Sequence, residues 1–306
     1  MYQSLRGTIY ALIAGICWGF SGTVGQFLFS HTAIDSGWLT TVRLLVSGLI
    51  LLVMAAIQRP QSVTDVWKNR RDALQLVFFG IAGLMAVQYC YMEAIYYSDS
   101  GTATAVQYTG EAMLLVYTCI TARRLPRRSE FFGLVLALFG IFLLATHGSF
   151  SGLVLSPAGL FWGLTAAVAL MIYTASPCRL IEKYGSISIT AQGMLIGGLA
   201  LGLLLRVWNI PGAYTSEALA GIAAIVLIGT VLGFTIYLKS TVLIGPLKAG
   251  LIAAVETVSA PFFSRVWLKT PFQSVDYLGF LCILSMVFLI SLPELRKERA
   301  QAPQNS

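Results

Sequence analysis

The stretch GTATAVQYTGEAMLLVYTCIT at residues 101–121 carries a glutamate, Glu111, in the middle of an apolar run of membrane-spanning length. The stretch LKAGLIAAVETVSAPFFSRV at 247–266 does the same with Glu256, which lies 145 residues further on. A carboxylate at bilayer depth costs about 3 kcal/mol on insertion scales, so a functional role is the default expectation. Two such residues at matching places in the two halves of the chain point to a duplicated membrane machine with its working site near the midplane.

The bulk composition agrees. The 306 residues are 57% hydrophobic and 11% charged, with a mean hydropathy of +0.78. A soluble domain carries about 25% charged residues, so this chain has too little polar surface to face water. The net charge of +7 raises nucleic acid as a partner, but no nucleic-acid motif is present, and membrane orientation accounts for the basic residues better. Cys17, Cys90, Cys119, Cys178 and Cys282 fall within apolar runs with no CxxC spacing, so they read as small hydrophobes rather than disulfides or metal ligands. His31 and His147 sit at predicted outer ends without a metal-like partner, and no phosphate-binding GK[ST] loop occurs. The sequence therefore asks for no cofactor, no ATP-driven step and no enzyme chemistry.

Ten apolar runs are long enough to span, at about 20 residues each: 7–29, 37–57, 73–97, 101–122, 130–147, 157–178, 187–207, 218–238, 247–268 and 275–292. The first exceeds a signal-peptide core and reads as an uncleaved span. The tail 293–306 is charged, then low in complexity, and is expected to be disordered. With the N-terminus inside, 16 of the 20 Lys and Arg residues fall in cytoplasmic segments, and only Arg206, Arg265 and Lys269 lie outside. That asymmetry predicts both termini in the cytoplasm.

The halves repeat. Trp18-Gly19 returns as Trp162-Gly163, Gly83 and Tyr91 return as Gly229 and Tyr237, and Pro126 returns as Pro271, at offsets of 144 to 146. Arg43 falls opposite Gln192 if a short insertion is allowed. Five spans per half is an odd number, so the second half enters the membrane from the opposite side. The expected architecture is an all-α integral membrane protein of ten helices, built as two inverted-topology five-helix repeats, 7–147 and 157–292, with its site between them.

The candidate site follows from chemistry at depth. Glu111 and Glu256 each lie about ten residues inside their spans, near 15 Å at 1.5 Å per residue. Each can take a proton from one side and release it to the other, or neutralise a substrate amine; a structural hydrogen bond within the bundle is the competing reading. Trp18, Trp162, Tyr89, Tyr108 and Tyr237 could line a cavity for an organic substrate, with cation–π contact for an amine, though belt aromatics are as common. Gln88, Gln107 and Gln192 are uncharged donors and acceptors at depth. Arg43, in TTVRLLVSGLILL, reads as a gating or structural charge, as one that snorkels to the outer headgroups, or as one that binds a substrate carboxylate or a glutamate at a bundle interface. Glu93 and Asp99 read as solvated rim residues.

The segments LIAGICWGFSGTVGQF, TTVRLLVSGLILL, SGTATAVQY, GLFWGLTAAVALMIY and IGPLKAGLIAAVETVSAPFFS together resemble the EamA family of the drug/metabolite transporter superfamily. The resemblance covers residues 7–292 and implies export of small metabolites, such as amino acids or amines, across a bacterial cytoplasmic membrane. It also implies a central cavity between inverted repeats, with the membrane lipid, a small-molecule substrate and protons as partners. Helix nine of the family commonly reads Glu-Pro where this chain has Glu256-Thr257, and helix four commonly has Pro where this chain has Glu111. The usual Gly-Glu pair before the fifth helix of each repeat is also absent. On this resemblance Glu256 occupies a position where the family often has an acid, and Glu111 is particular to this chain.

Overall fold

The computed structural model describes residues 2–150, 152–208 and 215–301, and the regular structure among them is helical. The first half contains α1 (Tyr2–His31), α2 (Ser36–Gln58), α3 (Pro60–Lys68) and α4 (Arg70–Phe78). A π-helical segment, Phe79–Met85, joins α4 to α5 (Ala86–Tyr97), and α6 (Ser100–Tyr108), α7 (Gly110–Thr121) and α8 (Arg128–Thr146) follow. The second half contains α9 (Pro157–Ala175), α10 (Cys178–Tyr184), α11 (Ser186–Leu205) and α12 (Ser216–Ala224). A second π-helical segment, Ile225–Leu232, leads into α13 (Gly233–Ile244), then α14 (Pro246–Ala253), α15 (Glu256–Trp267) and α16 (Ser274–Gln301).

Nine stretches of the described residues are long and apolar enough to cross a membrane. The expected fourth span is not among them; it is less apolar than the nine and is divided at Thr109 into α6 and α7. Helix nine is interrupted at the matching place, Ala254 and Val255. Neither interruption uses proline. At Thr109 and Val255 ψ closes to −12° and −17°, and the amides bond three residues back, Thr109 to Val106 and Val255 to Ile252. Threonine hydroxyls reinforce the tight turn: Thr109 donates to the Val106 carbonyl at 2.6 Å and Thr257 to that of Ala254 at 2.8 Å. Such side-chain bonds to nearby carbonyls compete with the helical ladder.

The packing exchanges the halves. α1 packs on α13, α14 and α15, while its counterpart α9 packs on α5, α6 and α7. The pairs α2 with α11 and α8 with α16 each bring equivalent spans together. Lipid is as apolar as leucine, so helix association in a bilayer relies on close contact at small residues. At the α8–α16 crossing the approach is reciprocal: a methyl on Gly140 would lie 3.2 Å from the Gly279 carbonyl, and one on Gly279 would lie 3.4 Å from that of Gly140.

Caps fix where the spans begin. Asp35 accepts the Trp38 amide at 2.9 Å to start α2, Asn69 accepts those of Arg71 and Asp72 to start α4, and Asp99 accepts that of Thr102 to start α6. Side-chain oxygens at the first orphan amides of a helix contribute about 1 kcal/mol each. Asp99 is thus a cap and not a solvated rim group. Glu93 is buried too, accepting Ser36 Oγ at 2.5 Å.

The end of the bundle carrying α3 and α10 is tied by a buried acid. Asp72 is fully buried and accepts Lys183 Nζ at 2.7 Å, the Tyr184 hydroxyl at 2.8 Å and the Arg179 guanidinium. At the opposite end Gln26 joins three elements, accepting Ser264 Oγ at 2.8 Å and the Ser100 amide at 3.0 Å while donating to Thr270 at 3.1 Å. His147 at this end pairs with Asp276 at 3.0 Å. Cys178, expected within an apolar span, is exposed at the start of α10. The expected disorder after 292 is not seen as far as Gln301: α16 continues through Pro293 to that residue, and 302–306 lie outside the described residues.

Candidate functional site

Tyr108 is the last residue of α6 and Glu256 the first of α15, so each stands at the interruption of its own span. The Tyr108 hydroxyl donates to Glu256 Oε2 at 2.9 Å, and the glutamate is 8% exposed. Glu111, the second residue of α7, lies within electrostatic reach of Tyr108 and Tyr237. Both acids therefore sit in the first turn of a half-helix and not mid-helix as expected from their runs. The partial positive charge at a helix N-terminus favours an anion there, which offsets part of the cost of burying a carboxylate in the bundle.

Arg43 stands opposite. It is 4% exposed, so it does not snorkel. Its Nε donates to Thr230 Oγ1 at 2.8 Å, and the Thr230 hydroxyl donates in turn to the Ile225 carbonyl five residues back at 3.0 Å. The wider π-helical turn is what brings that carbonyl within reach. The guanidinium charge lies within electrostatic reach of Tyr91 and Glu256. Tyr91 completes this side. Thr104 commits its proton to the Ser100 carbonyl at 2.7 Å, so the 2.8 Å contact between Tyr91 and Thr104 has tyrosine as donor. Trp18 walls the centre, with ring centroids 5.1 Å from Tyr237 and 5.4 Å from Phe234. The result is one cation, two carboxylates and an aromatic wall held between two interrupted helices.

A family model described as the EamA-like transporter family matches residues 5–146 and again residues 157–292. The chain belongs to this family. The uncharacterized inner membrane transporter YicL of Salmonella typhimurium is 35% identical over 300 residues, covering 98% of this chain and all of YicL. This EamA-like chain is accordingly a multi-pass transmembrane transporter of the inner membrane. A solved crystal structure of another protein superposes with a TM-score of 0.62 at 15% identity, covering 97% of this chain and 99% of that one, which shows a shared fold and nothing further.

Of the residues singled out in the EamA-like sequence, Glu256, Tyr108, Glu111, Tyr237, Trp18 and Arg43 come together. Others do not join them. Trp162 and Tyr89 form their own edge-on pair at 5.5 Å, on α9 and α5. Gln192 accepts Trp67 Nε1 at 2.6 Å and donates to Ser188 at 3.1 Å, which places it under α3 and away from its repeat partner Arg43. Gln88 and Gln107 are buried on α5 and α6. Thr230 was missed, although it directly follows Gly229, one of the repeat matches. Ser21 was missed as well; it lies three residues after Trp18 on the same face of α1.

Proposed function

We propose that the chain is a secondary active exporter of a small organic metabolite, an amino acid, an amine or a related compound. The observation that carries this reading is the bond from Tyr108 to Glu256 between two interrupted helices at matching places in the chain. Interrupted helices whose half-helix termini meet near the midplane are a recurrent way for transporters to bind solutes and ions. Residues 7–147 and 157–292 are taken as the two repeats, inverted because five spans reverse the entry side, with 293–306 as a cytoplasmic tail. The basic residues around α3 and α10 assign that end, and both termini, to the cytoplasm. Rocking of one repeat against the other then exposes the centre to each side in turn.

Glu256 is the first candidate for proton coupling or substrate contact, with Glu111 second. YicL carries the name of an inner membrane transporter, which supports the class and leaves the substrate to experiment. The test is flux in proteoliposomes under an imposed pH gradient, comparing wild type with Glu256→Gln and Glu111→Gln. Loss of gradient dependence in Glu256→Gln is the expected result; gradient-driven flux unchanged in both variants removes the coupling role. An uncoupled facilitator or importer would instead show flux that follows the solute gradient alone. A scaffold or sensor would show no flux of any solute.

A further inference from the structure

The centre holds polar donors that the fold itself does not use. Trp18 Nε1, Ser21 Oγ and Arg43 Nη1 are buried and meet no hydrogen-bond partner. All three are placed against one short stretch of the second repeat. A methyl on Gly229 would collide with Ser21 Oγ, one on Gly233 would lie 2.8 Å from Trp18 Nε1, and Thr230 accepts Arg43 Nε. Residues 229 to 233 cover about 6 Å of helix axis at 1.5 Å per residue, so the three donors meet the second repeat within little more than one turn. Leaving a buried donor unpaired is destabilising, and more so for a charged one. Three together are not explained by packing.

We infer that Trp18, Ser21 and Arg43 form a subsite for the carboxylate of the transported solute. The inference rests on the transport reading and narrows its substrate class. Two carboxylate oxygens offer about four acceptor positions, which matches three converging donors, and a guanidinium paired with a carboxylate is among the stronger hydrogen-bonded arrangements. A doubly charged phosphate fits poorly, since Arg43 supplies one positive charge and Glu256 already lies within its electrostatic reach. The same proximity fixes the other end of the solute. With Arg43 engaged by an incoming carboxylate, Glu256 is left to receive a ammonium group or a proton. A solute with both charges satisfies both residues at once. The two glycines are the structural condition for this arrangement, because a side chain at 229 or 233 would collide with Ser21 or Trp18 and push them away from this turn.

The test compares acids with their own esters. Purified wild type, Arg43→Gln, Arg43→Lys and Ser21→Ala are melted with acetate, benzoate, L-leucine and L-phenylalanine, and with the methyl ester of each. In the wild type at least one acid raises the melting temperature where its ester does not. Its half-maximal concentration rises tenfold or more in Arg43→Gln, less in Arg43→Lys and several-fold in Ser21→Ala. Absence of any acid–ester difference in the wild type overturns the inference and leaves water on these donors. So does a difference that persists unweakened in Arg43→Gln or, should that variant not fold, in Ser21→Ala. Counterflow of an ester or amine lacking any acidic group, with no acid transported, also overturns it while the transport reading stands. An acid that binds with the expected variant pattern but never crosses supports the subsite and removes the transport reading instead.

Discussion

Tyr108 and Glu256 are 148 positions apart in the chain, yet a 2.9 Å hydrogen bond joins them at the interruptions of two different spans. Each residue ends or begins a half-helix, so the bond couples the two places where the bundle's backbone is least regular. A shift of either half-helix by more than about 0.5 Å takes a bond of this length beyond its normal range, and the contact is therefore sensitive to rearrangement of the centre.

Tyr108→Phe keeps the ring and removes only the donor. A hydrogen bond to a charged group contributes about 1.5–3 kcal/mol, which corresponds to a ten- to hundredfold change. Flux at subsaturating solute is expected to fall by about that factor, with the folded yield unchanged. Initial rates from proteoliposomes and the melting temperature together check it.

Gly229→Ala should destabilise by about 1–3 kcal/mol, the usual penalty for inserting a methyl into a packed contact, because the new methyl meets Ser21. Shortening the opposing side chain relieves the clash. The double variant Gly229→Ala with Ser21→Gly should therefore recover a good part of the loss in a melting experiment, whereas Gly229→Ala with a change on α16 should not.

Asp72→Asn removes the acid that gathers Arg179, Lys183 and Tyr184. Breaking a buried pair is destabilising because it leaves an uncompensated charge, but the Arg179 and Lys183 side chains are half exposed, so solvent screening weakens the loss. The α3/α10 end should loosen. Spin labels at the exposed positions Gln61 and Glu182 should report a longer and broader distance in Asp72→Asn than in the wild type.

The hydrogen bond to Asp72 holds the Lys183 amine above the ordinary lysine range, with Tyr184 adding to it. A base raised in this way keeps its contribution at every pH below the ordinary lysine value and loses it only as the pH climbs through the raised one. The tie thus does not titrate between pH 5 and 9, values well below the ordinary lysine pKa of about 10.4. Lys183→Gln should leave the pH midpoint of transport where the wild type has it, while lowering stability equally across that window. A midpoint that moves with Lys183→Gln would assign the pH response to the α3/α10 end.

Nine of the ten apolar runs and the duplication were legible, because span length and the constant offset of residues such as Trp18, Glu111 and Pro126 are written in the residues themselves. The interruptions were not. They rest on a ψ change of about 30° from the regular helical value at Thr109 and Val255, with no proline at either turn, and hydrophobic periodicity is blind to a turn that tightens without changing polarity. The acids were found for the right reason, since a glutamate in an apolar run stands out. Thr230, Ser21 and Asp72 stayed hidden because each is an ordinary residue whose importance lies in what the other half brings against it. Gln192 misled for the converse reason: repeat equivalence gave it the place of Arg43, but α3 packs over α11 and engages it through Trp67.

The π-helical segments Phe79–Met85 and Ile225–Leu232 give their spans a spare residue. An α-helix turns about 100° per residue, so deleting one position from an ordinary span twists everything beyond it onto the wrong face. In these two segments the same deletion can be absorbed by relaxing the wide turns to regular ones, which leaves Tyr91 and Tyr237 facing the centre. Spans three and eight carry slack that their neighbours lack, and a scan of single-residue deletions along the chain should find a tolerant spot within Phe79–Met85, while in Ile225–Leu232 Gly229 and Thr230 hold the slack in use.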